Sequence, residues 1–184
     1  LIAVPIAVSD PAEVADALHT AQDVRRRGAD VIEWRVDTLA DAQASGIQPV
    51  SILLADSPVQ TLLTARSDTE GGLCTLDDEA LADWFGDLID AGCQPNWVDV
   101  EFDRWQRSPA IQEVAKQWQA EGVRVIFSSH EYTGRPTDLH QRIAAMQEAP
   151  CDAVKMVWRA RSLRDGLECR DILASRQKPM IVLC

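Results

Sequence analysis

No apolar run in this sequence approaches the ~18 residues needed to cross a bilayer, so a membrane-spanning segment is excluded. The first residues carry no basic stretch ahead of an apolar segment, and no secretory signal is read there. Cations are scarce: 18 Lys and Arg face 29 Asp and Glu, for a net charge of −11. Binding a phosphate backbone needs clustered Lys and Arg. The only basic run is Arg25-Arg26-Arg27. It lies late in a helical pattern, where cations complement the helix C-terminus, so nucleic acid is not an expected partner. The five cysteines, Cys74, Cys93, Cys151, Cys169 and Cys184, are odd in number and widely spaced, with no C-x-x-C pair. That pattern fits a reducing cytoplasm better than a disulfide framework. His19, His130 and His140 do not pair with cysteines at ligand intervals, so no metal site is expected. Internal repeats and low-complexity linkers are absent as well.

What is present is a globular composition, 46% hydrophobic and 26% charged over 184 residues. That length suggests one domain with a proper core, and its Leu, Ile, Val and Trp content excludes wholesale disorder. Short β-rich runs alternate with longer amphipathic segments. Strands are expected at Ile2–Val8, Val31–Asp37, Gln60–Arg66, Trp97–Phe102, Val123–Ser129, Ala153–Val157 and Met180–Cys184. Asp10-Pro11, with Glu13 placed for a capping box, opens a helix whose stripe is Val14, Leu18, Ala21 and Val24; Gly28 ends it. A short helix is expected through the 40s and 50s. Further helices are read at Thr75–Ala91, with Leu76, Ala80, Trp84 and Leu88 on one face, and at Pro109–Ala120, Pro136–Glu148 and Leu163–Ala174.

Strict β-α alternation implies a parallel sheet with right-handed crossovers, either doubly wound or a (β/α)8 barrel. The strands discriminate. A strand covered on both faces by helices should be almost continuously apolar. In Ile32-Glu33-Trp34-Arg35-Val36-Asp37, and again in Trp97-Val98-Asp99-Val100-Glu101-Phe102, charge recurs at every second position. Ile32, Trp34 and Val36 then pack on outer helices, while Glu33, Arg35 and Asp37 point into a shared interior. Several strands sending charge into one interior describe a barrel with its active end at the strand C-termini. Seven strands and six helices fall short of eight of each. One barrel domain over residues 1–184, lacking its last βα units, is therefore expected, with the chain continuing for roughly 40–60 residues. A chain truly ending at Cys184 would be poorly stable as a monomer and nearly inactive.

The polar residues at strand ends are Glu33, Arg35, Arg66 with Glu70 beyond it, Asp99, Glu101, His130 and Lys155. Asp99 and Glu101 also read as simple partners that neutralise interior cations, and His130 as a satisfied core histidine. Lys155 is the only cation in the apolar strand Ala153-Val154-Lys155-Met156-Val157, and lysine is almost never buried without a purpose or a partner. Burial lowers the pKa of an amine and makes it a nucleophile towards carbonyls. An imine-forming lysine beside a histidine is a minimal set for proton abstraction next to a ketone. Glu70 would fix that histidine's tautomer.

These residues resemble the type I 3-dehydroquinate dehydratases of the shikimate pathway. The likeness rests on Val4-Pro5-Ile6, Glu33-Trp34-Arg35-Val36-Asp37, Thr64-Ala65-Arg66 followed by Glu70-Gly71-Gly72, Asp99-Val100-Glu101, Ser128-Ser129-His130 and Asp152-Ala153-Val154-Lys155. It implies a (β/α)8 TIM barrel and a homodimer that needs no cofactor or metal. The small-molecule substrate it implies is 3-dehydroquinate, dehydrated by syn elimination to 3-dehydroshikimate. Lys155 resembles the Schiff-base lysine, His130 the group that removes the C2 proton and assists loss of the C1 hydroxyl, and Glu70 the carboxylate that positions it. Glu33, Arg35 and Arg66 resemble the residues that hold the ring hydroxyls. Gly71-Gly72 would let the chain bend over the site. Five positions depart from the family pattern. Glu131 replaces the usual Asp or Asn after the histidine, and Ser129 the usual Asn, His or Tyr before it. Arg135-Pro136 stands for Thr-Pro, and Leu183 and Cys184 stand where methionines are common. The family's carboxylate-binding arginine and its closing Ser and Gln fall beyond Cys184. Two other identities stay open: another Schiff-base lyase of the class I aldolase kind, and a divergent barrel subunit without catalytic activity.

Overall fold

The computed structural model describes residues Leu1–Cys184. Seven strands form one parallel sheet in sequence order: β1 (Ala3–Ala7), β2 (Val31–Arg35), β3 (Gln60–Thr64), β4 (Trp97–Glu101), β5 (Arg124–Glu131), β6 (Ala153–Trp158) and β7 (Met180–Leu183). The helices are α1 (Val14–Arg26), α2 (Asp37–Asp41), α3 (Ala44–Ala55), α4 (Asp78–Asp90), α5 (Phe102–Arg107), α6 (Pro109–Ala120), α7 (Leu139–Glu148) and α8 (Leu163–Ala174). No helix is long and apolar enough to cross a membrane.

Strand alternation sorts the side chains into two environments. Ile32, Trp34, Leu63, Val98, Val100, Val125, Phe127, Val154 and Met156 face outwards, fully buried in one large core against the helices. The opposite face begins with an apolar floor of Val31, Leu62, Ile126 and Ala153, against which Trp97 packs. Above that floor stand the charged residues. The sheet is strongly curled, as one contact proves. Glu33 on β2 and Lys155 on β6 lie four strands apart, which in a flat sheet would separate them by about 19 Å. Their side chains meet at 3.1 Å. The inner face is therefore a trough, curled like part of the wall of a barrel.

The capping residues act much as the sequence indicates. Asp10 accepts from the Ala12 amide at 2.8 Å, and Glu13 reaches back to the Asp10 amide at 3.3 Å. This box closes a 3-10 turn, Pro11–Glu13, that feeds α1 rather than the first turn of α1 itself. Arg25 and Arg26 end α1, as the dipole argument requires.

Several expectations need correction. The single helix of the 40s and 50s is two, α2 and α3, broken at Gln43, whose φ of +47° lies in the left-handed region. Helix α5 was not expected. It starts directly from the end of β4 with no side-chain cap, and is held instead by Phe102 stacking on Trp105 at 5.8 Å and meeting Phe127 at 5.9 Å. The buried stripe of α4 is Leu81, Ala82, Trp84, Phe85 and Leu88, and Leu76 precedes the helix. Strand β3 stops at Thr64, two residues before Arg66, while β5 runs on to include His130. Asp37 does not join Glu33 and Arg35 on the strand: the chain turns into α2 at that residue.

Candidate active site

The trough is lined above its floor by Glu33 and Arg35 from β2, Thr64 from β3 and Arg66 just beyond it, Asp99 and Glu101 from β4, Ser128 and His130 from β5, and Lys155 from β6. The structure brings together all six residues singled out from the sequence: Lys155, His130, Glu70, Glu33, Arg35 and Arg66.

Lys155 Nζ donates to Glu33 Oε1 at 3.1 Å and lies 3.7 Å from Asp99 Oδ2. Glu33 Oε1 also accepts from the Thr64 hydroxyl at 3.1 Å. Arg66, only 2% exposed, is the centre of charge. Its Nη2 pairs with Asp99 Oδ2 at 2.7 Å, while Nη1 reaches Glu70 Oε2 at 3.1 Å, Glu101 Oε1 at 3.4 Å and the Ser128 hydroxyl at 2.8 Å. Ser128 passes the chain on, donating to Asp99 Oδ1 at 2.5 Å. Burial opposes ionisation of Asp99, but Arg66 and Lys155 more than compensate and hold it down at about 2.

His130 Nδ1 lies 2.8 Å from Glu70 Oε2. Burial, with Arg66 close by, pushes the imidazole down to about 3. Burial and the neighbouring Glu101 charge push the Glu70 carboxyl up to about 8, against the pull of Arg66. Near neutral pH this is a neutral carboxyl beside a neutral imidazole.

Glu70 sits in a 3-10 turn, Asp68–Glu70, that the Ser67 hydroxyl caps at 3.3 Å. Two carboxylates hold this segment through backbone amides, a role the sequence does not reveal. Asp37 takes Arg35 at 3.1 and 2.6 Å, the Arg66 amide at 2.8 Å and the Leu73 amide at 3.1 Å. Glu101 takes the Ser67 amide at 2.8 Å and Arg104 Nε at 3.1 Å. Asp37 is thus a bracket beside the site rather than an interior charge. Asp99 and Glu101 do neutralise Arg66, as their simpler reading had it, and Asp99 also faces the lysine. Ser128 is a further inward-facing residue, and its place between Ile126 and His130 in the strand's alternation is the signal for it.

Gly71, at φ +78°, and Gly72 turn this segment tightly. A Cβ on Gly72 would fall 2.1 Å from the Arg66 carbonyl oxygen, so the backbone must shift. Gly72→Ala is expected to cost about 1–3 kcal/mol, in the range of overpacking, read as a lowered urea midpoint. An unchanged midpoint would show that the segment yields freely.

Outside the trough, Arg135 forms a two-point pair with Glu168 at 2.8 and 2.7 Å, tying the loop after β5 to α8. Glu131 accepts from the Thr133 amide at 2.8 Å and from its hydroxyl, turning the chain after His130. Ser129 faces away from the trough and accepts from Arg142 Nη1 at 3.3 Å. All five cysteines are free thiols, and only Cys184 is exposed.

Comparison with known proteins bears on the whole constellation. The chain is 31% identical over 175 residues to the 3-dehydroquinate dehydratase of Klebsiella pneumoniae subsp. pneumoniae, covering 91% of this chain and 66% of that protein. It is 29% identical over 158 residues to the chloroplastic bifunctional 3-dehydroquinate dehydratase/shikimate dehydrogenase of Arabidopsis thaliana, covering 85% of this chain and 25% of that one. The chain thus spans just under two thirds of the length of the Klebsiella relative. Among solved structures, the 3-dehydroquinate dehydratase of Geobacillus kaustophilus superposes with a TM-score of 0.80 at 23% identity, over 98% of this chain and 72% of that one. The type I enzyme of Clostridium difficile superposes at 0.82, also at 23% identity, over 98% and 73%. Both establish the curled α/β sheet as that of a barrel fold. The model of the type I 3-dehydroquinase family matches from residue 2 to residue 184, across every strand that lines the trough, and it is to this family that the chain belongs.

Proposed function

We propose that the protein is a hydro-lyase that dehydrates 3-dehydroquinate to 3-dehydroshikimate through an imine on Lys155. The observation that carries this is the placing of one amine and one histidine–carboxylate pair in the same buried trough, on the adjacent strands β5 and β6. The other two lysines lie elsewhere: Lys116 pairs with Glu113 on the exposed face of α6, and Lys178 donates to the backbone carbonyls of Ala149 and Cys151.

In this mechanism the Lys155 amine adds to the substrate ketone, and loss of water leaves an iminium that withdraws electrons from the neighbouring carbon. His130 removes the C2 proton, and the electron pair flows towards the iminium nitrogen. Expulsion of the C1 hydroxyl, protonated from His130, forms the double bond. Hydrolysis then frees the product and the amine. Glu70 orients the imidazole, while Glu33, Arg35 and Arg66 hold ring hydroxyls. The same reading makes the protein a cytoplasmic homodimer that works without cofactor or metal, with residues 1–184 all belonging to one barrel domain.

Borohydride reduction in the presence of 3-dehydroquinate tests the assignment. A reduced adduct on the peptide containing Lys155 is expected. Its absence, or an adduct only on Lys116 or Lys178, would overturn it.

A further inference from the structure

Ser128 stands at the point where the two halves of the trough's charge network join. It is fully buried, it is paired in register with Lys155, and its single hydroxyl proton is committed. The hydroxyl accepts from Arg66 Nη1 at 2.8 Å and donates to Asp99 Oδ1 at 2.5 Å. Arginine has no acceptor and an ionised carboxylate no donor, so the direction of this relay is forced. Asp99 meets both of its cations through its other oxygen, Oδ2: Arg66 at 2.7 Å and Lys155 at 3.7 Å.

We propose that Ser128 is a positioning residue for Lys155, its hydroxyl holding the Asp99 carboxylate on Arg66 and away from the amine. This rests on Lys155 being the imine-forming group. Without the hydroxyl, Asp99 Oδ1 loses its donor in a dry interior, where an unmet charged acceptor is costly. The carboxylate is then free to turn. The ammonium of Lys155 is the closest cation besides Arg66, and a tight pair with it favours the ammonium over the free amine that must attack the ketone. Ser128 thereby limits the carboxylate hold on Lys155 to Glu33 and one distant oxygen of Asp99. The charged groups facing this pair are Glu33 and Arg35 from β2, Arg66 just beyond β3, Glu70 from the turn after it, Asp99 and Glu101 from β4, and His130 from β5. The inward positions of β1 and β7 bring none.

Reactivity of the amine can be read without the substrate, by reductive methylation with formaldehyde and cyanoborohydride and mass spectrometry of the Lys155 peptide as a function of pH. Ser128→Ala is expected to move the midpoint of labelling upwards by about one pH unit. Ser128→Cys, which keeps a weaker donor in nearly the same volume, should fall between. It also supplies the reading if the alanine variant does not fold. In an Asp99→Asn background the alanine change should have no further effect, because the serine acts through that carboxylate. Turnover of Ser128→Ala at neutral pH should drop about tenfold in kcat, one pH unit's worth of free amine, with KM within twofold. A folded serine variant with the parent's midpoint, or a shift that persists undiminished in the Asp99→Asn background, would overturn the proposal. Failure of dehydroquinate trapping in the parent is separable from this, since it removes the imine while the methylation midpoints still report whether Ser128 controls the amine.

Discussion

Lys155→Ala is expected to lose turnover by roughly 10⁴-fold or more, the scale seen when a covalent nucleophile is deleted, while ligand binding stays measurable by calorimetry. In the proposed mechanism removing the amine removes the electron sink, and no other lysine reaches the trough. On the proposed reading Glu33, Arg35 and Arg66 remain to hold the ring hydroxyls. Lys155→Arg should fail equally, because guanidinium stays protonated and cannot add to a ketone. Arginine in that position preserves the charge facing Glu33 and Asp99, so it separates loss of chemistry from loss of an ion pair. Near-parental activity in either variant would remove the imine from the mechanism.

The second large effect falls on the histidine. His130→Ala should slow turnover by about 10²–10⁴-fold, the worth of a positioned acid-base group, and Glu70→Gln by less. The pH dependence separates their roles. Below about 8 the Glu70 carboxyl keeps its proton and can donate it to His130 Nδ1, which leaves the other ring nitrogen carrying hydrogen and unable to accept. Above that pH the ionised carboxylate accepts from Nδ1–H, and the second nitrogen becomes a base. For the unliganded enzyme kcat/KM should therefore rise with pH through about 8. Gln does not titrate, so Glu70→Gln should flatten that limb while retaining part of the rate. Equal losses in the two variants would show that Glu70 takes a direct part in proton transfer.

The trough was legible because its strands break the usual pattern. A charge at every second position of Glu33-Trp34-Arg35 and Asp99-Val100-Glu101 has one geometric solution, an inner polar face and an outer apolar one, and the curled sheet has that arrangement. Lys155 stood out by contrast with its apolar neighbours. What stayed hidden depended on the backbone leaving the period of two. Extrapolating the alternation carries Asp37 inwards, whereas the chain begins α2 there and the carboxylate turns to bind amides. Helix α5 has no cap or periodic stripe long enough to read, and forms through aromatic contacts with β5. The break between α2 and α3 rests on one left-handed Gln43, a conformation no residue type announces as glycine does. Which carboxylate pairs with which cation was equally out of reach, since it depends on how tightly the sheet curls.

The Asp37 bracket has a consequence for motion. A surface segment with two adjacent glycines is ordinarily among the first parts of a protein to open. Here one carboxylate seizes it at both ends, at the amides of Arg66 and Leu73, and fastens the same knot to the Arg35 side chain. Residues 67–74 cannot swing outwards without also slackening the Arg35 arm of the neighbouring strand β2. The segment behaves as a hinge-less strut, and its amides should rank with the central strands in hydrogen exchange rather than with the loops. Whatever moves to admit a ligand, the histidine's carboxylate partner does not travel with it.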